Sequence, residues 1–402
     1  MKRKFGRAAT PVAVATAMIG LTLGLGAPSG AAKASPVKVG IVTEKTGIFS
    51  AYTQEWLQGV NIGLKYATKG TNAVNGHPIH LSVVDDADNP TTAATDFNSF
   101  VGSGYKIIGG TVDSGIATEL APLAQKNKVL YISGPAAADQ VTGANRYTFR
   151  SGRQTYQDVT AAKGYVKALG SGKTVLVLAQ DFAFGQSYVT DCTQAFTALG
   201  DKVTSLLVPL TTTDFTPTAL QVQADHPDIV FLAWAGATGA PLAQALDQQG
   251  IFGTSKVITG LANTATYQFY GTAGLKFNYI SLYNWQSPHN AVNTYLVQQM
   301  RRQYKAYPDL FTADGFVWAQ MVVRAIQTGQ GSNVAKMIKG LEGWKFLAPK
   351  GPQQIRAADH AMLQPMFQVQ LVASVTGAYL PVTLQTLTAA QTAPPVSAHF
   401  GG

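Results

Sequence analysis

The stretch spanning residues 107–139 restricts the fold of this chain more than any other. Apolar runs at residues 107–110 and 129–132 flank an amphipathic segment, and a turn of small residues follows each run. This order of strand, loop, helix, strand and loop is the unit from which an open parallel sheet is built. Because ligands bind such sheets beyond the carboxyl ends of the strands, we expect both loops to open onto one crevice.

The first of these loops, residues 111–115, leads directly into the amphipathic segment. A helix that begins there presents free backbone N–H groups and the positive end of its dipole to the loop. Such a terminus favours a carboxylate or another hydrogen-bond acceptor. We therefore expect a binding site built from backbone groups and small side chains.

The remaining sequence extends this unit into two similar series of strands and helices. The first covers residues 37–150 and the second residues 159–259, with apolar runs alternating with helical patterns. Helical patterns at residues 291–307 and 313–328 follow, and we expect them to complete the first series. Residues 350–372 alternate like a strand and should return to the second. The sequence predicts an α/β fold with two doubly wound parallel-sheet lobes.

Length and composition agree with a packed protein of two domains. The chain has 402 residues, of which 46% are apolar and 13% charged. Its net charge is +9, but five of the 30 basic residues and none of the 21 acidic residues lie in residues 1–34. The rest of the chain carries +4, which is too diffuse to indicate a nucleic-acid partner.

Residues 1–34 have the features of an export signal: a basic start, an apolar run and an Ala-x-Ala site at residues 32–34. A membrane anchor is the alternative, but the apolar run at residues 11–25 is short and contains glycines. We expect an exported protein, either periplasmic or associated with the cell wall outside the cell.

The sole cysteine, Cys192, cannot form an internal disulfide. It also lies far from the export signal, so we expect no lipid anchor on an N-terminal cysteine. A buried, helical Cys192 is favoured over a reactive nucleophile.

Motifs that would indicate a nucleotide or a catalytic serine are missing. Residues 170–174 resemble the end of a phosphate-binding loop, but Lys167 stands where the first glycine is required, and the segment precedes a strand. No G-x-S-x-G sequence occurs, and none of the six histidines pairs evidently with a serine or cysteine. We expect no catalytic residues and no cofactor.

Two acidic or histidine-containing segments could suggest a metal, but their spacing does not. His77 and His80 stand without further ligands, as in a surface hairpin. Asp85, Asp86 and Asp88 lack the glycine and the spacing of a calcium loop, and we expect them to cap the next helix. The sequence predicts no metal site.

Short segments in a fixed order connect the chain to a known family. These segments are residues 39–41 (VGI), 46–52 (TGIFSAY), 85–90 (DDADNP), 132–136 (ISGPA), 181–187 (DFAFGQS), 213–216 (TDFT), 227–231 (PDIVF) and 356–360 (RAADH). With them the chain resembles the periplasmic binding proteins for branched-chain amino acids and amides, which are the type I solute-binding proteins of ABC importers.

The resemblance implies two lobes that close on a ligand by bending at three hinge crossovers, near residues 150–155, 281–285 and 338–350. The boundaries that follow are a signal peptide at 1–34, a first lobe of 35–152 plus 284–340, a second lobe of 153–283 plus 341–385, and a flexible tail at 386–402.

The resemblance also implies roles for particular residues. Ser114 matches the serine whose backbone and hydroxyl hold a ligand carboxylate, and residues 134–138 match a second carboxylate-binding turn. Tyr52 matches a tyrosine beside the ligand side chain, and Phe184 and Trp234 match aromatic residues of the second lobe. The expected ligand-binding residues are Tyr52, Asp113, Ser114, Gly134, Ala136, Ala138, Phe184, Trp234 and Leu261.

Three positions depart from the amino-acid binders of this family. Ala138 replaces a hydroxyl, Phe184 replaces a tyrosine, and residues 259–261 contain no acid to meet a ligand ammonium. A buried ammonium without a countercharge is unfavourable. We therefore expect a neutral or carboxylate-bearing apolar ligand, with aromatic rings favoured. Phe184 and Trp234 could alternatively be ordinary core residues.

These observations favour a monomeric, exported substrate-binding protein that presents a small organic solute to the permease subunits of an ABC importer. A sensory receptor module of the same fold is one alternative. A secreted hydrolase that uses carboxylates between the lobes is another.

Overall fold

The computed structural model describes residues 34–397; the expected signal peptide, apart from Ala34, and residues 398–402 lie outside this range. Strands and helices alternate along most of the chain. The strands are β1 (Val37–Thr43), β2 (Ala73–Val74), β3 (His77–Asp85), β4 (Ile107–Gly110), β5 (Leu130–Ser133), β6 (Thr148–Arg150), β7 (Thr174–Gln180), β8 (Lys202–Val208), β9 (Ile229–Ala233), β10 (Lys256–Gly260), β11 (Asn278–Ser281), β12 (Lys345–Ala348), β13 (Gly351–Ile355), β14 (Met362–Leu363), β15 (Met366–Ala373) and β16 (Tyr379–Leu387).

The helices between them form the outer layers. They are α1 (Ser50–Ala67), α2 (Pro90–Gly102), α3 (Ser114–Asn127), α4 (Thr155–Ala168), α5 (Ala183–Thr197), α6 (Thr216–Asp225), α7 (Gly239–Gln248), α8 (Ile251–Thr254), α9 (Ala291–Tyr304), α10 (Thr312–Gly329) and α11 (Val334–Leu341), with 3₁₀ segments at Asp139–Val141 and Thr264–Lys276. Within residues 34–397, no helix combines the length and apolar character that a bilayer crossing needs.

The first sheet has the strand order β2-β3-β1-β4-β5-β6. Its neighbours pair in parallel except β2 and β3, which form a hairpin. Alternate residues of β1 enter different clusters: Val39 and Ile41 pack with α1 and α10, whereas Val42 packs with α2 and α3. Helices thus cover both faces, as is usual for a parallel sheet. Helices α9 and α10, although late in the chain, pack against α1.

The second sheet has the order β16-β15-β11-β10-β9-β7-β8. Strands β7 to β11 pair in parallel, and β15 and β16 add two antiparallel strands at one edge. Of the stretch expected to return to this sheet, only β15 does so. Strands β13 and β14 pair instead with β12 in a small third sheet.

Up to residue 397, the segment expected to be a flexible tail instead packs against the rest of the protein. Leu387 ends β16, and Thr392 is fully buried. Arg356 Nη1 donates a hydrogen bond of 2.7 Å to the carbonyl of Pro394, and the Ser397 N–H donates one of 3.1 Å to Asp359. Arg356 thus binds carbonyl groups of the segment after β16, where no strand within residues 34–397 pairs with them.

The order of the strands reverses once in each sheet. The reversal lies between β1 and β4 in the first sheet and between β7 and β9 in the second. The loops after two such strands lead to opposite faces of the sheet and leave a crevice at the carboxyl edge. The chain passes between the sheets after β6, after β11, and between α11 and β15.

Candidate ligand-binding site

A cavity lies where the two crevices meet, and the space between its walls, open solvent included, is about 690 Å³. The first-sheet side contributes the loop after β1, the start of α1 and the loops after β4 and β5. The second-sheet side contributes the loops after β7, β9 and β10. Its lining includes Phe49, Tyr52, Val112, Ser114, Pro135, Ala137, Arg153, Asp158, Phe182, Phe184, Tyr188, Trp234, Ala235, Gly260, Leu261, Leu310 and Phe311.

Three helices around the cavity begin immediately after a phenylalanine. Phe49, Phe182 and Phe311 occupy the N-cap positions of α1, α5 and α10, and none of them can accept the usual capping hydrogen bond. A polar N-cap stabilises a helix by about 1 kcal/mol relative to an apolar one. These helix starts forgo that stabilisation and place rings in the cavity wall.

The rings of the two sides contact one another. The Phe49 and Phe182 rings stack with centroids 5.8 Å apart, and Phe182 lies 5.6 Å from Phe184. Tyr52 packs edge-on against Phe311 at 4.9 Å. The wall therefore offers aromatic faces and edges from both lobes to a bound molecule.

Backbone groups also connect the two sides. The Gly236 N–H donates to the Tyr52 hydroxyl at 3.2 Å, and the Ala237 N–H donates to the Ile48 carbonyl at 3.1 Å. Burial raises the pKa of Tyr52 to about 12, so its hydroxyl keeps its proton. The structure thus shows the lobes in contact beside the cavity.

The two residues before Ser114, at the start of α3, bind an internal carboxylate with their backbone N–H groups. Glu44, which follows β1 and is fully buried, accepts hydrogen bonds from the N–H groups of Val112 at 3.0 Å and Asp113 at 2.7 Å. The hydroxyls of Thr53 and Thr111 also donate to it. Those two backbone donors are consequently not open to a ligand.

The Ser114 side chain lines the cavity and also organises the next loop. Its Oγ accepts hydrogen bonds from the N–H groups of Ala137 at 3.0 Å and Ala138 at 3.1 Å. The Ser114 hydroxyl proton is left to donate. The Ser114 hydroxyl can therefore donate a hydrogen bond to a ligand in the cavity.

Two arginines that sequence reasoning did not single out lie in the first crossover. The Arg150 Nη atoms donate to the carbonyls of Ala136 at 2.6 Å and Ala138 at 3.1 Å, which fixes the loop after β5. Burial lowers the pKa of Arg150 to about 10. The sequence feature that could have identified both arginines is a pair of cationic residues at a predicted hinge.

The second of them, Arg153, is part of the cavity wall and only 7% exposed. Its Nε donates to Asp158 at 3.0 Å, and its Nη1 donates to the Pro135 carbonyl at 3.2 Å. The Tyr188 hydroxyl donates to the same Asp158 oxygen at 2.5 Å. Burial alone would lower the pKa of Arg153, but the Asp158 carboxylate raises it above its usual value, so the guanidinium is charged.

Of the nine residues expected to bind ligand, five line the cavity: Tyr52, Ser114, Phe184, Trp234 and Leu261. The other four, Asp113, Gly134, Ala136 and Ala138, lie in adjoining loops outside the lining.

Contacts within the protein account for those four positions. Asp113 Oδ1 caps α3 by accepting from the Ile116 N–H at 2.8 Å, and burial raises the pKa of Asp113 to about 6. A side chain on Gly134 would approach the Thr111 carbonyl to 2.9 Å. Ala136 and Ala138 are fully buried beneath the loop.

The acidic turn after β3 does not cap α2 as expected, because Asn89 does so. The Asn89 side chain accepts from the Thr92 N–H at 3.0 Å. Asp85 instead holds the loop after β1, accepting from the Lys45 N–H at 2.8 Å. Among residues 34–397, no three His, Cys, Asp or Glu side chains are grouped to hold a metal. Cys192 is buried on α5, as predicted.

A ligand ammonium would find no open carboxylate in the described part of this wall. Asp158 is the acidic residue of the lining, and it is already bound by Arg153 and Tyr188. Gly260 and Leu261 line the cavity where the amino-acid binders would place an acid.

The fold, the two crevices and the cavity between them define a two-lobed solute-binding protein. The sequence profile of the periplasmic binding proteins matches residues 36–376, and this chain belongs to that family. It is a type I member related to the branched-chain amino acid-binding proteins, which confirms the resemblance seen in the sequence.

Individual relatives agree with this assignment. Leu/Ile/Val-binding protein BraC3 of Rhizobium johnstonii is 25% identical over 232 residues, or 57% of this chain and 62% of that protein. Leu/Ile/Val-binding protein homolog 1 of Brucella suis is 25% identical over 316 residues, or 75% of this chain and 82% of that protein. The chain thus spans less than two thirds of the length of the Rhizobium protein, but more of the Brucella one.

Solved structures share the fold. An ABC-type branched-chain amino acid transporter protein of Rhodopseudomonas palustris is 32% identical, with a TM-score of 0.73 and coverage of 90% of this chain and 99% of that one. A solute-binding protein of an ABC transporter from another strain of that species, in complex with p-hydroxybenzoic acid, is 22% identical, with a TM-score of 0.81 and coverage of 89% and 98%.

Proposed function

We propose that this chain is the extracytoplasmic substrate-binding component of an ABC importer. It captures a small organic solute between its lobes and delivers it, as a monomer, to permease subunits in the membrane. The family assignment supports this role. Export by the signal at residues 1–34 would place the protein in the periplasm or at the cell wall without a lipid anchor.

The observation that carries the proposal is the aromatic cavity at the meeting point of the two crevices. Pockets for small ligands are lined mostly by apolar and aromatic side chains, with a few placed polar groups. The lining of this cavity has that character. A ligand that touches Phe49 on one lobe and Phe184 on the other stabilises the closed arrangement by its contacts with both.

The same wall favours an apolar solute with an aromatic or branched framework over a free amino acid. Rings and aliphatic side chains surround the space, and its one acid is already paired. Because the chain belongs to a family of binding proteins, we propose binding without chemical change.

A ligand screen on the mature protein tests the proposal. Aromatic and branched apolar solutes should raise the melting temperature by mass action, while free amino acids should not. Ligand recovered after denaturation should be unaltered. Absence of any stabilising solute in the panel would contradict the proposed function, and recovery of a hydrolysed product would identify an enzyme instead.

Truncation of the aromatic wall gives a residue-level prediction. Replacing Phe184 or Trp234 by alanine should weaken binding of a solute identified in that screen by about 1–3 kcal/mol, because each ring loses buried contact area with the ligand. Isothermal titration calorimetry measures the loss. Phe269→Ala, at a ring that is 36% exposed and outside the cavity, is the control and should bind normally. Unchanged affinity in both cavity variants would assign these rings to the core.

A further inference from the structure

The charged groups at one end of the cavity identify how a ligand would be oriented. The resemblance to amino-acid binders places a ligand carboxylate on the backbone and hydroxyl of Ser114, immediately after two further backbone donors. In this chain Glu44 occupies the N–H groups of Val112 and Asp113, with donor to acceptor distances of 3.0 and 2.7 Å. A second carboxylate at those donors would meet the charge of Glu44 in a buried setting, which is strongly unfavourable.

Arg153 supplies the cation that this site otherwise lacks. Its Nε is bound to Asp158 and its Nη1 to the Pro135 carbonyl, and its Nη2 has no hydrogen-bond partner among the described residues. The residue lines the cavity, so the unused edge of its guanidinium is beside the space that a ligand would fill. A guanidinium donates to a carboxylate in a fixed planar geometry.

Arg153 and Ser114 are anchored on the same short loop. Ser114 Oγ accepts from the Ala137 N–H at 3.0 Å, while Arg153 Nη1 donates to the Pro135 carbonyl at 3.2 Å. Both side chains line one cavity. A carboxylate at this end could therefore accept hydrogen bonds from the Ser114 hydroxyl and from Arg153.

We infer that Arg153 is the specificity-determining residue of the cavity and that it selects solutes carrying one carboxylate on an apolar framework. This inference rests on the proposed function and names the class of its ligand. Asp158 and Tyr188 hold the guanidinium in place from the second lobe, since Asp158 accepts from both. Arg153 lies in the first crossover, so the ligand is bound at a hinge as well as between the lobes.

The position of Arg153 also links the ligand to the other buried charges of the hinge region. Arg150 Nη2 donates to the Arg153 carbonyl at 2.8 Å, and Lys350, in the third crossover, pairs with Asp314 of α10 at 2.5 Å. All of these side chains are buried. A negative ligand group at Arg153 would join buried charges from two of the three crossovers, because Arg153 interacts electrostatically with Asp314 and Lys350.

Matched pairs of acids and amides test the inference on the mature protein. The probes are benzoate and benzamide, cyclohexanecarboxylate and its amide, and 4-methylpentanoate and its amide. Each pair has nearly the same shape and differs in charge. In the wild type, an acid that binds should bind about 10- to 100-fold more tightly than its amide, as measured by calorimetry, because it accepts charge-assisted hydrogen bonds.

The informative variant is the double replacement Arg153→Met with Asp158→Asn. Removing Arg153 alone would leave the Asp158 charge buried without its partner and could unfold the protein. The double variant leaves no unpaired charge at this buried position, and the amide oxygen of the introduced asparagine can still accept a hydrogen bond from Tyr188. Circular dichroism melting reports that it is folded. We expect its preference for the acid over the amide to fall to about threefold or less.

The control is Arg356→Met with Asp359→Asn, which removes another arginine–aspartate pair, with Arg356 partly buried and Asp359 fully buried. Arg356 donates to Asp359 at 2.8 and 2.6 Å, and neither residue lines the cavity. Its ratio of acid to amide affinity should equal that of the wild type. Loss of the preference in this control as well would overturn the assignment to Arg153.

The remaining outcomes separate the inference from the proposed function. A full acid preference in the Arg153 and Asp158 double variant would overturn the inference and leave the proposed function intact. Equal binding of acids and amides by the wild type would do the same. Binding of no probe and of no solute in the wider panel would contradict both.

Discussion

At the scale of single residues, the buried carboxylate that follows β3 contributes to the response of stability to pH. Asp86 is fully buried; its Oδ1 accepts from the Asp88 N–H at 3.0 Å, and its Oδ2 has no partner in residues 34–397. Burial, followed by the charge of Glu44, raises the pKa of Asp86 from 3.8 to about 8. Asp85 and Asp88 lie close enough to add to this effect.

We predict that Asp86→Asn changes the pH dependence of unfolding. Because the folded-state pKa is raised, the wild type binds the extra proton when folded, and this stability is lost as the pH rises from about 4 to about 8. Asparagine has no such proton to lose. Urea unfolding across this range should show the variant gaining stability relative to the wild type as the pH rises.

Asp214→Asn provides a control for that experiment. Asp214 is exposed, and the Thr216 N–H lowers its pKa below 3.8, so its contribution is lost only as the pH falls below about 4. It should leave the profile between pH 4 and 8 unchanged. A constant stability difference between wild type and Asp86→Asn over the whole range would show that Asp86 is ionised when buried.

At the scale of elements, the contact between α1 and α10 depends on glycines in both helices. A Cβ at Gly315 would lie 1.9 Å from the Trp56 carbonyl, and one at Gly59 would lie 1.9 Å from the Thr312 carbonyl. The two backbones therefore approach more closely than any side chain would permit. This contact attaches α10 to the first sheet even though the chain visits the second sheet between them.

We predict that Gly315→Ala destabilises the protein by about 1–3 kcal/mol or more, because overpacking forces the helices apart. The matched control is Gly102→Ala at the end of α2, where a Cβ meets nothing within 4 Å. Alanine has the higher helix propensity, so that control should be neutral or slightly stabilising. Chemical denaturation measures both, and an equal effect of the two substitutions would argue against the close contact.

The sequence predicted the elements whose pattern is local. The apolar run Ile229–Ala233 is buried throughout and forms β9, as its composition indicates. Strand β16 was not predicted. It pairs antiparallel with β15, and its mostly exposed residues include few strongly apolar ones in alternation. The helices α9 and α10 were placed with the first series by elimination, and the glycine contacts that hold α10 there were not recognised.

The polar contacts of the site could not be predicted from the sequence, because they too join residues that are far apart along the chain. Glu44 binds groups 68 and 69 residues away, at Val112 and Asp113. A buried charge is stable only beside its partners, and periodicity does not reveal which distant residues those are. The aromatic residues Tyr52, Phe184 and Trp234 were identified through the family resemblance, and all three line the cavity.

At the scale of the whole molecule, the loop after β9 contacts the loop after β1. Gly236 has φ of +81°, and a Cβ there would lie 2.8 Å from the Ile48 carbonyl and 3.1 Å from the Phe49 ring. The Gly236 N–H also donates to Tyr52 at 3.2 Å. These contacts join the two lobes, so they exist only when the lobes are together.

We predict that Gly236→Ala weakens binding of a cavity ligand at least about tenfold without unfolding either lobe, because it disfavours the closed state that binds. Small-angle X-ray scattering should show compaction of the wild type with ligand and less compaction of the variant. Gly377→Ala, with φ of +80° and nothing within 4 Å, carries the same backbone strain in an open place and should bind normally. Wild-type affinity and compaction in Gly236→Ala would mean that the lobes meet elsewhere when ligand is bound.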